Sequence, residues 1–386
     1  MWAFVWPCDS QRMDCSAPSV SSVLSRFLLW SSLCLCVSVV EPCLAAADPG
    51  FRPVLPGYRF QFPRDHFDHP GFRTEWWYYT GNLRAADGHR YGFELVFFRQ
   101  AQTTPQRRAS GGNPSTWRVD DLYLAHLALT DIDGKRFRYD TRLNRAGPGI
   151  AGISFDERRI WNGNWQARWD SGSGAQTLTA VAENIRFDLR LTPRKPPVIN
   201  GENGVSQKSE GAGFASYYVS YPRLAVEGAL NGAAVSGLAW MDHEWFTNQL
   251  AESQTGWDWF SIQLDNDTDL MLFQLRRTDG GIDPYSAGTF IGRDGHATHL
   301  KRADFDLRPI EFWRSPKTGA RYPVRWRISV PSLKLTLDCA AAIPEQELAA
   351  PGQQGTTYWE GAVTYSGSAS GSGYLEMTGY DKPMRL

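Results

Sequence analysis

Along most of the chain apolar and polar residues alternate one for one. Ile185, Phe187, Leu189 and Leu191 are separated by Arg186, Asp188 and Arg190, and Val324, Trp326, Ile328 and Val330 by Arg325, Arg327 and Ser329. Side chains of a strand point alternately to its two faces, so this period marks strands with one buried and one wet face. Asp-Gly pairs at 87–88, 133–134, 279–280 and 294–295 supply tight turns between such runs. No long stripe of helical period occurs, although Glu345 to Ala350 has room for a turn or two of helix. Many short strands joined by turns predict an all-β protein of antiparallel sheets, closed as barrels or stacked as a sandwich. The stretch from Thr192 to Gly213 is polar, rich in Pro, Gly, Lys and Ser, and too long for a hairpin; it reads as a lid, a crossover or a mobile segment. Strand patterns resume at Phe214, and a second continuous set runs from Gly256 to Tyr380. A division near residues 246–255 gives two domains, 48–250 and 251–386.

Three segments depart from simple alternation. In Phe72 to Leu83 one strand face carries Glu75, Trp77 and Tyr79 and the other Trp76 and Tyr78. A strand apolar on both sides is covered on both sides or lines a ligand cavity on one; in a plain barrel core Glu75 would pair with Arg73 or Arg99. Trp240-Met241-Asp242-His243-Glu244-Trp245-Phe246 sets three titratable groups between two Trp. Bulky aromatics desolvate their neighbours, which raises a carboxyl pKa and suits it to general acid work, whereas the plain reading is a charged strand exit. In Gly256 to Leu264, Asp258 shares a strand face with Phe260 and Ile262, opposite Trp257 and Trp259. An acid there has to be partnered, by an Arg for instance, or used.

Other motifs are weak. Gly-x-Ser-x-Gly is absent, so there is no serine-hydrolase elbow. Gly147 to Gly152 has dinucleotide-type glycine spacing but lies between strand-like runs with no following helix. Asp65-His66-Phe67-Asp68-His69 and His296-Ala297-Thr298-His299 have no assured third ligand, so no metal and no cofactor are assigned.

Lys and Arg total 40 against 41 Asp and Glu, and this neutral balance argues against a nucleic-acid binder. Aromatic residues make up 13%, with thirteen of the sixteen Trp after residue 47, more than a routine core needs. The uncharged run from Phe27 to Val40 is followed by Ala45-Ala46-Ala47, the pattern of a secretory signal over residues 1–47. The run is shorter than the roughly 20 residues that span a bilayer, so no stable transmembrane anchor is expected. Translation from Met13 or Val23 would give this leader a more ordinary start. Five of six cysteines fall in the leader, which leaves Cys339 as a core residue on the strand face of Leu335 and Leu337. These features predict a periplasmic or secreted protein stabilised by core burial rather than disulfides.

Taken together, Phe62 to His66, Arg73 to Leu83, Tyr123 to His126, Ala215 to Tyr218, Trp240 to Trp245, Gly256 to Phe260, Tyr358 to Val363 and Gly373 to Tyr380 resemble the AttH/carotenoid 1,2-hydratase family. The likeness is greatest to its secreted branch, often called predicted secreted hydrolases. The resemblance implies two lipocalin-like antiparallel β-barrel domains with a ligand cavity in or between them. It also implies an apolar small molecule or lipid as ligand. Some members accompany ABC-transporter components, distant fungal relatives guide cyclisations of bound polyketides, and the hydratases add water across an isolated double bond. On that footing the catalytic candidates are Asp258 or Glu244 as acid and His243 as base or water orienter, with Asp242 and Glu75 beside them. Trp76, Trp77, Tyr79, Trp245, Trp257 and Trp259 are the candidate ligand cage. Three functions stay open: an acid–base enzyme, hydratase or hydrolase; a carrier working with an ABC transporter; or an accessory protein whose aromatics are only core. N-terminal sequencing of the envelope-fraction protein is expected to begin near Asp48; intact Trp30 on most molecules would reject export by cleavage.

Overall fold

The computed structural model describes residues 50–111, 118–349 and 356–385; the leader lies outside them. Thirteen strands of these residues make the first sheet: β1 (Thr74–Ala85), β2 (Arg90–Ala101), β3 (Asp121–Asp131), β4 (Arg136–Arg145), β5 (Ala151–Ser154), β6 (Arg159–Asn162), β7 (Trp165–Trp169), β8 (Gln176–Ala182), β9 (Ile185–Pro193), β10 (Val198–Ile199), β11 (Ser206–Gln207), β12 (Ala215–Leu230) and β13 (Ala233–Phe246). The hydrogen-bonded order is β4-β3-β2-β1-β13-β12-β9-β8-β7-β6-β5, with β10 and β11 added to β12. The sheet curls until its ends meet through side chains: Asn144 Nδ2 donates to Asn162 Oδ1 at 2.6 Å and Arg142 to the Asn162 carbonyl at 3.0 Å. The second sheet holds β14 (Gln254–Leu264), β15 (Asp269–Arg277), β16 (Ala287–Ile291), β17 (Ala297–Lys301), β18 (Asp306–Arg314), β19 (Arg321–Val330), β20 (Leu335–Ala341), β21 (Glu347–Leu348), β22 (Tyr358–Gly367) and β23 (Gly371–Thr378), ordered β17-β16-β15-β14-β23-β22-β20-β19-β18 with β21 on β22. Both are antiparallel and barrel-like, the lipocalin-like arrangement expected.

The alternation reads directly into burial. In β9 the apolar positions from Ile185 to Leu191 are buried and the charged ones between them exposed. The four Asp-Gly pairs sit in the turns after β1, β3, β15 and β16, and Gly88, Gly280 and Gly295 have the positive φ that such turns favour. Around Glu345 the expected helical turn is replaced by the short strand β21, because its backbone pairs with Trp359 and Tyr358. A six-residue helix, Pro105–Ser110, went unforeseen; Thr104 caps it by accepting from the Arg107 N–H.

Each barrel interior is filled. Trp77, Tyr79, Phe93, Leu95, Phe97 and Met241 belong to the core of the first, and Phe260, Trp326, Cys339, Trp359, Leu375 and Met377 to that of the second. A third apolar cluster, with Tyr78, Val96, Tyr218, Trp240, Trp259 and Phe273, joins the two sheets. The 192–213 stretch is a crossover that also reaches the second sheet. Its Lys195 Nζ lies 2.7 Å from Asp269 Oδ2, while Arg223 donates to Asp269 Oδ1 from Nε at 3.1 Å and Nη2 at 2.8 Å. All three are buried, so Asp269 offsets two cations removed from water. Asp269→Ala leaves both without a counter-charge and is expected to cost about 3–5 kcal/mol in urea unfolding. An unchanged midpoint would show that the cluster does not hold the sheets together.

Candidate active site between the barrels

A cavity of about 340 Å³ lies between the two sheets, within the range for small-molecule sites. Its walls come from alternate positions on strands of both: Trp76 and Tyr78 on β1, Glu94, Val96 and Phe98 on β2, Asp242 and Glu244 on β13, Trp257 and Trp259 on β14, Tyr358 on β22 and Glu376 on β23. The crossover contributes Lys208. Trp76 and Trp257 stack with centroids 6.4 Å apart, and Trp259 meets Tyr78 edge to face at 5.2 Å.

Strand alternation divides the residues expected to form one site. Trp76, Trp257, Trp259, Asp242 and Glu244 line the cavity. Trp77 and Tyr79 instead fill the first barrel, and Trp245 packs in a separate cluster with Phe72 and Tyr217. Glu75 and His243 hydrogen-bond to each other on that same far face, Glu75 Oε1 to His243 Nε2 at 2.9 Å. Asp258 points into the second barrel, where it accepts from Gln274 at 2.8 Å, Tyr380 at 2.9 Å and Arg276 at 3.3 Å. The placement of Asp258 beside the Asp242–Glu244 run is therefore corrected: the run itself points two ways, and Asp258 is walled off by its own strand.

A profile for AttH-like proteins matches residues 53–380, nearly the whole described chain. The chain belongs to the AttH-like family. A crystal structure from Nitrosomonas europaea assigned to AttH is 34% identical, covers 86% of this chain and all of its own, and superposes with a TM-score of 0.77. Kievitone hydratase from Nectria haematococca is 16% identical over 86% of this chain and 98% of its own, with a TM-score of 0.62, a likeness of fold. No curated protein sequence matches significantly.

The polar wall of this AttH-like protein has two parts. On one side Asp242 Oδ1 accepts from Ser220 Oγ and Trp240 Nε1, both at 2.6 Å, and Oδ2 accepts from the Tyr218 hydroxyl. That hydroxyl in turn accepts from Trp259 Nε1 at 2.9 Å. Burial lifts Asp242 to about 7 against the pull of its donors. Beside it Glu244 is raised by burial, and accepts from Gln249 Nε2 at 3.0 Å. Lys208 Nζ lies 3.7 Å from Glu244 Oε2 and 4.0 Å above the Phe273 ring, and burial lowers its pKa.

On the other side three carboxyls converge. Glu94 Oε1 accepts from the Tyr358 hydroxyl at 2.6 Å, and that oxygen lies 2.6 Å from His126 Nδ1. Burial holds His126 at about 4, so it is neutral and donates through Nδ1. Glu360 Oε1 accepts from Tyr78 at 2.6 Å, and Glu376 Oε2 from Trp257 Nε1 at 3.0 Å. Glu360 and Glu376 are direct partners across β22 and β23, where like charges repel. Burial raises all three; the neighbouring Glu94 and Glu376 raise Glu360 further, and Glu376 raises Glu94. Their donors are neutral, so protons supply the charge balance near neutrality.

Sequence reasoning passed over Glu94, His126, Lys208, Tyr218, Tyr358, Glu360 and Glu376 as site residues. The signal for Glu94 and Glu360 was present: each is a lone acid on an apolar strand, the rule that singled out Asp258. Glu376 is lifted from 4.5 to about 7 by burial. A carboxyl with a raised folded pKa loses its contribution as pH climbs from the unfolded to the folded value. Glu376→Gln is therefore expected to match wild type in unfolding free energy near pH 4 and to exceed it by about 1–3 kcal/mol at pH 8. An equal offset at both pH values would contradict the protonated state.

Proposed function

We propose that the inter-barrel cavity binds an apolar, alkene-bearing small molecule and adds water across its double bond. The observation that carries this reading is Glu94: it is fully buried, it faces the cavity, and its Oε2 has no hydrogen-bond partner while Oε1 is held by Tyr358. A protonated carboxyl held in this way has its O–H free for a ligand carbon. Proton transfer from Glu94 to the less substituted alkene carbon leaves a cation on the other, faced by the rings of Trp76, Trp257, Trp259 and Phe98. Ring faces stabilise such a desolvated cation by about 2 kcal/mol or more. Water then adds to the cation and gives up a proton to Asp242, whose oxygens are already arranged by Tyr218, Ser220 and Trp240. Val96, next to Glu94 on the same face, and Asp242 are both in register with Tyr78, two strand spacings apart or about 10 Å, which leaves room for ligand and water. Alkene and water give the alcohol, and solvent returns the proton from Asp242 to Glu94.

The fold shared with a hydratase supports the reaction class, and the 34% identical AttH structure supports the family setting. The signal-like residues 1–47 support a periplasmic or secreted site of action, where an ABC transporter is the partner in a carrier role.

The test starts from native mass spectrometry of the exported protein to find retained apolar molecules. These are then incubated with the protein in water labelled with oxygen-18. The expected product carries one added labelled water. Glu94→Gln is expected to lower its rate by about 100-fold or more while ligand retention and Tm stay near wild type. Retention without any labelled product would replace the enzyme reading by the carrier; neither retention nor product would reject both.

A further inference from the structure

The far faces of β1 and β13 carry a second constellation, separated from the cavity by the strands themselves. There His69 Nδ1, Glu75 Oε1 and His243 Nε2 all lie within 4.8 Å of one another. The remaining polar atoms of the three side chains are engaged outward. His69 Nε2 is 3.4 Å from Asp65 Oδ1, His243 Nδ1 is 3.1 Å from the Asp65 carbonyl, and Glu75 Oε2 accepts from the His69 N–H at 2.9 Å and Arg99 Nε at 3.1 Å. Both rings are fixed by stacking, His69 on Trp245 at 3.9 Å and His243 on Trp77 at 4.6 Å.

Three potential ligand atoms converge here from three separate segments, 64–69, β1 and β13. His69 Nδ1 and His243 Nε2 approach the same oxygen, Glu75 Oε1, at 2.6 and 2.9 Å. The outer nitrogen of each ring also faces an oxygen acceptor. Glu75 and His243 are almost wholly excluded from water, and the carboxylates of Glu75, Asp65 and Asp121 are gathered with His69, His243 and Arg99 in one buried group. With Nε2 of His69 and Nδ1 of His243 turned outward to Asp65, Nδ1 of His69 and Nε2 of His243 are left converging with Oε1 on one point. A cation at the point of convergence would be held by all three.

We propose that His69 Nδ1, Glu75 Oε1 and His243 Nε2 bind a divalent transition metal ion, zinc foremost. Two imidazoles and a carboxylate are a zinc ligand set, with water as the fourth ligand. The outward hydrogen bonds from each imidazole to a carboxylate or carbonyl are those that orient metal-bound histidines. Bonds near 2.05 Å in a tetrahedron place ligand atoms about 3.3 Å apart, so the His69 ring retreats from Oε1 by about 0.7 Å and the His243 ring by about 0.4 Å. The slight exposure of the His69 side chain gives entry for ion and water. The ion clamps the 64–69 segment onto β1 and β13 and fixes the strand that carries Asp242.

The exported full chain, stripped with chelator, is titrated with Co²⁺ and then Zn²⁺. Expected are visible ligand-field absorption saturating at one equivalent of Co²⁺, its loss on adding Zn²⁺, and a higher Tm with Zn²⁺. His243→Ala is expected to abolish the absorption, and Asp65→Ala to weaken Zn²⁺ binding about 10- to 100-fold. Wild-type protein that shows neither stoichiometric absorption nor a Zn²⁺-dependent rise in Tm overturns the proposal, whatever the variants do. Ligand retention in the cavity is read separately, so failure of the metal site leaves the alkene-binding reading standing.

Discussion

Most of this structure depends on the burial of β1 and β13 on both faces. Paired in register from Thr74 opposite Phe246 to Ala85 opposite Val235, they form the wall shared by the first barrel's interior and the inter-barrel cavity. The backbone period of two then sends neighbours in sequence to different environments. Trp76, Asp242 and Glu244 go to the cavity, and Glu75, Trp77, His243 and Trp245 to the far face. A slip of one residue would exchange the two sets and drive Asp242 and Glu244 into an apolar core, so register here is held more tightly than in a strand with a wet face.

The chain handles buried charge in two ways. On the far face and at the crossover, ions are matched by ions: Arg99 lies between Glu75 and Asp121, and Asp269 between Arg223 and Lys195. Removing one partner from such a group is costly, which suits positions that hold segments together. Around the cavity the carboxyls of Glu94, Glu360 and Glu376 are met by hydroxyl and indole donors instead, and burial keeps them neutral. A proton can leave such a group without dismantling an ion pair. The chemistry of the cavity and the stability of the frame are thereby carried by different residues.

Much of the fold was legible because its signals are local. Alternation in β9 and β19 and the Asp-Gly turns each depend on a few adjacent residues. The cavity tryptophans were found because aromatic density is also local. What escaped was decided by which strand lies behind which. Asp258 and Asp242 are both acids beside Trp, yet one faces Gln274, Arg276 and Tyr380 inside a barrel and the other faces the cavity. The Glu94–Tyr358–His126 chain joins β2, β22 and β3, a juxtaposition that no spacing in the sequence encodes. Likewise His69 and His243 meet only because the 64–69 segment folds over the end of the β1–β13 pair.

The location of the cavity follows from how the barrels are filled. Trp77 and Trp165 pack in the first interior and Trp326 and Trp359 in the second, all essentially inaccessible to solvent. The outward apolar faces of the two sheets still have to be covered, and they cover each other imperfectly because curved surfaces touch over a limited area. The gap that remains is lined by one to four side chains from each of many strands. Replacing Phe98, Val96 or Trp257 therefore reshapes the gap without removing a residue from either barrel core. A fold can then persist at 16% identity while the ligand it accepts changes, since the residues that specify the barrels are not those that meet the ligand.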